Sequence, residues 1–541
     1  MKKIYINGDF ITLENDNIEA LATENDKIIK TGSKAEILEV ADANTEIIDL
    51  KGNTLMPSFI DAHSHIFALA KSLMQISIDG LTSIEEIKNC LDKYKKENRT
   101  NEWIIVNGYD NNILKNREHI TKQELDEIFP DTPVIIENKS RHNGIANSEA
   151  LEKLGITKTT ADPEGGRIIF DKGLLEENAF IDSLKKIPLP KIEEIMNAFK
   201  EAQETYASHG ITMAQEGVIT NELAKIYKLL ADKHEIFLDI VAYMDYKNVD
   251  EIKKEYSEFI NKYNNNFKIG GIKIFLDGSP QAKTAWLREA YINEPEYYGY
   301  RIMKDEDVEE LLENSKESNL QILAHCNGDK AAEQYINAIK KVSGLKRPVM
   351  IHAQLLGLDQ LPDVKKYNII PSFFISHIYY FGDIHIKNLG MKRAEHISPA
   401  GSSLKKNILF TFHQDTPVIE PDMFETIWCA VNRTTRDGKV LGEDEKISVL
   451  EAIKTVTINA AYQYGEEEIK GSLKAGKNAD FIIVDKNPLK VAKDELRNIK
   501  ILETIKDGKV IWKIWLCYIK ILYNLYLLWY KKCIGFYKME K

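Results

Sequence analysis

The chain has 541 residues, 43% of them hydrophobic and 29% charged, with a formal net charge of −11. That length allows one large domain plus a smaller one with a sizeable core, and the balance of charge and hydrophobicity excludes a disordered chain. An acidic protein with no basic run beside any motif is not built to bind nucleic acid.

The N-terminal 55 residues read as short strands and turns: Lys3-Ile-Tyr-Ile, the turn pair Asn7-Gly8, Lys27-Ile-Ile-Lys-Thr-Gly and Glu46-Ile-Ile-Asp-Leu-Lys-Gly. Ala479-Asp-Phe-Ile-Ile-Val-Asp and Ile501 to Trp512 repeat that texture near the other end. One small β-domain, a β-sandwich built from residues 1–55 and 470–512, is expected.

Between these ends, apolar runs alternate with amphipathic stretches. The expected strands are Phe59-Ile-Asp-Ala, Ile211-Thr-Met-Ala, Phe237 to Tyr243, Ile272 to Leu276, Gln321 to His325, Val349 to His352, Ile369 to Phe374 and Ile408 to Phe412. Glu222 to Lys233, Asp305 to Ser318 and Ala331 to Val342 carry helical periodicity. This alternation predicts an α/β fold, a (β/α)₈ TIM barrel over residues 56–469. The gap between the first two strands is too long for one crossover, so an insertion at about 70–205 is expected.

Beyond Trp512 the composition turns apolar and aromatic, with Lys520 and Asn524 interrupting the run. The tail 513–541 falls short of a spanning segment. It reads as a packed or poorly ordered extension, with contact at a membrane interface the lesser reading. Five widely spaced cysteines without a CxxC pair, and an N-terminus without an apolar leader, point to the cytoplasm.

His63-Ser64-His65 directly follows an apolar strand. In extended chain, residues i and i+2 share a face, so both imidazoles can reach one ion. Alone, this pair is equally compatible with a structural role. His325 and His352 each close a later strand, and strand ends converge on one face of a barrel. Asp415 follows the eighth strand, either as ligand and proton acceptor or as a turn residue before Pro417. Lys273 lies within an apolar strand, either paired with an acid such as Asp277 or carbamylated to bridge two metals.

These motifs resemble the amidohydrolase superfamily, in its YtcJ-like and N-substituted formamide deformylase-like branch. The resemblance is carried by Met56-Pro-Ser-Phe-Ile-Asp-Ala-His-Ser-His65, Val106-Asn-Gly-Tyr-Asp110, His142-Asn-Gly-Ile-Ala-Asn-Ser-Glu-Ala-Leu151 and Gly271-Ile-Lys-Ile-Phe-Leu-Asp-Gly-Ser279. It continues through Ala324-His-Cys-Asn-Gly-Asp329, Ile351-His-Ala-Gln354, His413-Gln-Asp-Thr-Pro-Val418 and Gly471 to Asp480. It implies His63, His65, carbamylated Lys273, His325 and His352 as metal ligands, and Asp415 as ligand and catalytic acid/base. The ion expected is divalent, zinc first, with one or two per chain. One departure stands out: the family often has Gly-Ser-Asp where this chain has His413-Gln414-Asp415, a variant that the resemblance assigns to a subset of the branch.

The expected reaction is hydrolysis of a C–N bond in a small amide-like substrate by metal-activated hydroxide, with Asp415 moving the proton. His142, Asn147, Tyr109, Asp110, Trp286 and His377 are candidate substrate contacts; Glu176, Glu216 and Tyr379 to Asp383 are weaker ones. A non-catalytic metal-binding regulator and an isomerase on the same scaffold are the rival readings. Retention of Asp415 argues against the first. A homodimer is left open.

Overall fold

A computed structural model describes residues 1–14, 17–97, 103–111, 113–115, 119–138, 143–163, 166–188 and 190–514. Residues 515–541 of the tail expected to pack or to touch a membrane interface, and His142, lie outside the described residues. Among those described, no helix is long and apolar enough to cross a membrane.

The central element is an eight-stranded sheet whose neighbours follow chain order. Its strands are β1 (Phe59–Ile60), β2 (Ile211–Ile219), β3 (Asp239–Asp245), β4 (Phe267–Phe275), β5 (Gln321–Cys326), β6 (Val349–His352), β7 (Ile370–Phe373) and β8 (Thr411–Phe412). Every adjacent pair is parallel. Their near-continuous burial is what a parallel sheet covered on both faces requires. Past the ladder the first and last strands approach each other: Asp415 N donates to His63 O (3.2 Å) and His65 N to Thr416 O (2.8 Å).

Helices α1 (Asn221–Asp232), α2 (Val249–Glu255), α3 (Asp305–Glu317), α4 (Asp329–Lys341), α5 (Leu361–Lys366) and α6 (His377–Leu389) connect successive strands from β2 to β8. α1 shows why these segments are helical. Thr220 caps it by accepting from Leu223 N, and Ala224, Tyr227, Leu230 and Ala231 form its buried stripe.

Alternation assigns the faces of the sheet. Met213, Val241, Tyr243, Leu323, Val349, Ile351 and Ile370 pack into one cluster with Ala460, Ala461 and Tyr464 of the helix Ile458–Tyr464. Residues two further along share that face. Gln215 and Gly217 follow Met213, His325 follows Leu323, and Ser372 follows Ile370, so strand parity brings polar groups to the carboxyl ends.

Both chain ends contribute to two further sheets. One contains Lys2–Ile6, Ala20–Glu24, Lys27–Gly32 and Glu46–Asp49. The other joins Asp9–Phe10 and Thr54–Pro57 to Phe481–Val484, Ile501–Lys506 and Lys509–Lys513. Tyr5, Leu21, Leu55, Phe481 and Ile505 share one core across them.

A buried ion cluster ties the second of these sheets to β3. The Asp239 carboxylate accepts from Lys470 and sits 3.1 Å from Lys506 Nζ, with both lysine side chains 4% exposed. Asp239→Ala would leave both ammonium groups buried without their main counter-charge. It is expected to cost about 3–5 kcal/mol, measurable by chemical denaturation; a loss near zero would show that Glu466, 3.4 Å from Lys470, and Asp507, 2.6 Å from Lys506, suffice for the lysines.

Residues Phe67–Ala202 form a separate compact unit. Its six-stranded sheet runs in the order Gly166–Ile169, Leu174–Glu177, Asn143–Ala146, Val134–Asn138, Ile104–Tyr109 and Ile76–Ser77. Ile87, Leu91, Val106, Leu125, Val134 and Ile145 are among the residues of its core.

Candidate metal centre

His63, His65 and Asp415 each present one donor atom, all within 4.8 Å of one another. His63 Nε2 is 3.6 Å from Asp415 Oδ1, and His65 Nε2 is 3.5 Å from the same oxygen. His352 Nε2 is 3.9 Å from Asp415 Oδ2. The His325 ring centroid lies 4.6 Å from that of His352, and the Lys273 Nζ lies 3.3 Å from His63 Nε2. The strand ends therefore gather His63, His65, Lys273, His325, His352 and Asp415 into one cluster.

Two of these positions depend on unusual backbone. Alternation would send His352 outward with Cys326, its register partner. Instead His352 and Ala353 adopt positive φ, 69° and 46°, and the ring turns toward His325. Asp415 also has positive φ, 54°, in a tight turn where Val418 N donates to its carbonyl. Left-handed backbone at non-glycine residues is uncommon and concentrates at functional sites.

Each histidine presents Nδ1 to a separate partner. His63 Nδ1 is 2.5 Å from Gln215 Oε1, and the Gln215 amide donates to Ala62 O and to Tyr464 Oη, 2.9 Å each. His65 Nδ1 is 3.6 Å from Glu216 Oε1, whose other oxygen accepts from Tyr227 Oη at 2.7 Å. His325 Nδ1 is 3.6 Å from Asp277 Oδ1. His352 Nδ1 is 3.1 Å from His413 Nε2. The hydrogen-bonded partners of His63 and His352 orient these imidazoles and set their tautomers, whereas His325 Nδ1 has no hydrogen bond and its Nε2 lies 3.5 Å from Asn327 Nδ2. Glu216 entered the sequence reading only as a spare acid; Gln215 did not enter it, and its parity with Met213 was the available signal.

Electrostatics match this reading. Burial, reinforced by nearby positive charge, holds the His63 and His352 imidazoles well below their ordinary pKa, so both are neutral lone-pair donors. Burial pulls the Lys273 amine down to about 7, against the opposing charge of Asp415. A Lys273–Asp277 ion pair does not form. The Asp277 carboxylate accepts instead from Asn327 N, Gly328 N and Trp286 N, at 2.9, 2.7 and 3.0 Å.

The residues present fit a divalent ion. Asp415 Oδ1 and His325 Nδ1 are buried without a hydrogen bond, and imidazole with carboxylate is a donor set for zinc and similar ions. His63 is 1% exposed while the His65 side chain retains 26%, so the cluster has a closed and an open side.

The remaining candidates are placed as follows. Trp286 is half-buried, its backbone anchored to Asp277. His377 is buried at the start of α6 with Nδ1 3.2 Å from His385 Nε2. Tyr379 packs edge-on against Trp428, and Asp383 pairs with Lys439. Tyr109, Asp110, Asn147 and Glu176 belong to the Phe67–Ala202 unit. There Tyr109 Oη accepts from Ile120 N at 3.0 Å, and burial pushes the phenol up to about 12. The Asn147 amide caps the helix Ser148–Lys153 and bonds Val134 N, Phe129 O and Thr132 O. Its hydrogen-bonding capacity is committed inside its own unit.

Known proteins resemble this chain over most of its length. The YtcJ protein of Bacillus subtilis (strain 168) is 27% identical over 95% of this chain and its own full length. The N-substituted formamide deformylase of Arthrobacter pascens is 24% identical, covering 93% of this chain and 97% of that protein. The crystal structure of an uncharacterized metal-dependent hydrolase from Pyrococcus furiosus is 26% identical and superposes with a TM-score of 0.78, covering 91% of this chain and all of that one. The amidohydrolase family profile matches residues 46–512, the span that holds every residue of the cluster, and the chain thus belongs to the amidohydrolase family, in its YtcJ-like branch, as a metal-dependent hydrolase.

Proposed function

We propose that the protein hydrolyses the C–N bond of a small amide, with Asp415 as acid and base. The observation that carries this is Asp415 itself: one oxygen lies 3.6 and 3.5 Å from the Nε2 atoms of two imidazoles without a hydrogen bond, and the side chain is 15% exposed. A bound divalent ion, zinc by the preference of these donors, supplies Lewis acidity that makes water acidic near neutral pH and polarises the amide carbonyl. Asp415 takes the proton of the attacking water and delivers it to the leaving nitrogen, so that the C–N bond breaks to an acid and an amine. His63, His65 and His352 keep their Nε2 lone pairs directed inward because their Nδ1 atoms face Gln215, Glu216 and His413; on His325 it is Nδ1 that is left without a hydrogen bond, while Nε2 lies 3.5 Å from Asn327 Nδ2.

Lys273 supports a second ion. A buried amine with pKa near 7 and no ion pair among the described residues is partly neutral at physiological pH. Its Nζ can add to CO₂ with loss of a proton, giving a carbamate whose oxygens would be further ligands for divalent ions. The backbone bonds from Asp415 to His63 and from His65 to Thr416 support closure of the eight strands into a (β/α)₈ barrel. The shared core of the terminal sheets supports a β-sandwich.

The relative from Arthrobacter pascens makes N-substituted formamides the first substrates to test, followed by other N-acyl and cyclic amides. Purified protein is expected to contain a divalent metal, to lose turnover on chelation and to regain it with zinc. In ¹⁸O-labelled water the acid product is expected to carry one labelled oxygen. Turnover that survives complete metal removal, or a product of unchanged mass, would refute hydrolysis at this centre.

A further inference from the structure

The triplet His413-Gln414-Asp415 puts an imidazole two residues before Asp415. His413 is fully buried, and its ring lies 5.1 Å from that of His352 and 5.3 Å from that of His63. Its own nitrogens are turned elsewhere than toward Asp415. Nδ1 is 2.9 Å from Ser372 Oγ at β7, and Nε2 is 3.1 Å from His352 Nδ1 at the end of β6. The result is a buried chain from Ser372 through His413 to His352, with each of the three residues at most 5% exposed.

A contact of 3.1 Å between two imidazole nitrogens is a hydrogen bond only if one nitrogen carries a proton and the other does not. Two neutral imidazoles can satisfy this in two ways. If His413 donates from Nε2, then His352 accepts at Nδ1 and must carry its proton on Nε2. That nitrogen faces Asp415 and could no longer ligate a cation. If His352 donates from Nδ1, its Nε2 keeps the lone pair. His413 then carries its proton on Nδ1, where Ser372 Oγ is placed to accept it. Only the second arrangement leaves His352 able to bind metal.

We propose that His413 is a positioning residue of the metal centre, which accepts the Nδ1 proton of His352, donates its own Nδ1 proton to Ser372, and so fixes His352 as an Nε2 ligand. This rests on reading the cluster as a divalent-metal centre. His65 Nδ1 and His325 Nδ1 each lie 3.6 Å from a carboxylate, of Glu216 and Asp277, whereas His352 Nδ1 faces a neutral acceptor that exists only because residue 413 is histidine.

Two measurements on the full chain test it. In metal-free protein labelled with ¹⁵N-histidine, the imidazole spectrum is expected to show His352 and His413 both protonated at Nδ1, with signals assigned by their loss or shift in His413→Gln. A proton on Nε2 of His352 overturns the proposal. Zinc titration of metal-free wild type, His413→Gln, His413→Leu and Ser372→Ala gives the second reading. His413→Leu removes the acceptor and is expected to weaken zinc binding about 10–100-fold. His413→Gln keeps an acceptor oxygen and is expected to stay close to wild type, with Ser372→Ala between the two. A folded Leu variant that binds zinc as tightly as wild type, or a Gln variant as weak as the Leu variant, overturns it. If the Leu variant does not fold, the nitrogen spectrum of wild type decides. Failure of wild type to bind zinc would sink the reading of the cluster as a metal centre, and the spectrum would still report the tautomer.

Discussion

Asp415→Asn is expected to lower kcat by about a thousandfold, the middle of the range for general acid–base catalysis, or roughly 4 kcal/mol of barrier. Asparagine is the informative replacement. Asp415 sits at φ 54°, where asparagine is tolerated and most other residues are strained, so the turn survives. The backbone bond from residue 415 N to His63 O needs no side chain and is retained. The amide oxygen keeps a neutral donor near the Nε2 atoms of His63 and His65, while the capacity to accept and return a proton is lost. His63, His65, His325 and His352 remain to hold the ion. Turnover should therefore collapse while most of the metal stays bound, as read by kcat on an identified amide and by elemental analysis of the same sample. A fully active Asn variant would remove Asp415 from proton transfer.

The architecture was legible because it rests on periodicity. Eight apolar runs alternating with amphipathic ones could be read directly, and the eight strands of the sheet fall on them. The recurrence of short strand-and-turn texture pointed to strands at both chain ends, and one sheet joins Asp9–Phe10 and Thr54–Pro57 to Phe481–Val484, Ile501–Lys506 and Lys509–Lys513. For the site, sequence spacing located candidate ligands at strand ends, since i and i+2 share a face. It could not show the orientation of His352, whose positive φ breaks that alternation. Nor could it show what faces each Nδ1. Gln215 and His63 are far apart in the chain and meet through the pairing of β1 and β2. Lys273 illustrates the same limit. Its proximity to Asp277 in sequence suggested an ion pair, yet the Asp277 carboxylate is taken up by three backbone amides. For the expected substrate contacts the sequence is least informative, because a polar, turn-rich segment reads alike whether it binds a ligand or caps a helix, as Asn147 does.

Gly217→Ala is expected to abolish metal binding with little loss of fold. Gly217 lies in β2, on the face shared with Met213 and Gln215, and its N–H donates to Ser64 O at 2.8 Å. A Cβ at this position would stand 2.6 Å from His65 Cε1, 2.8 Å from His63 Cε1 and 3.0 Å from His65 Nε2. These are the ring edges that present the two Nε2 donors. His63 cannot retreat, because it is 1% exposed, bound to Gln215 through Nδ1 and enclosed by the rings of His352 and His413. His65, on the open side of the cluster, can swing outward, and doing so carries its Nε2 away from Asp415. The cost to folding should stay within about 1–3 kcal/mol, as for other overpacked sites. Zinc affinity should fall by at least about 100-fold, the upper end for disturbing a ligand's surroundings, because here the ligand itself moves. Denaturation and zinc titration on one preparation check both halves, and wild-type affinity in a folded Ala variant would refute the packing described for His63 and His65. Together with Asp415→Asn, this variant separates two ways of losing turnover: one leaves the ion bound and removes the proton carrier, the other keeps the proton carrier and evicts the ion.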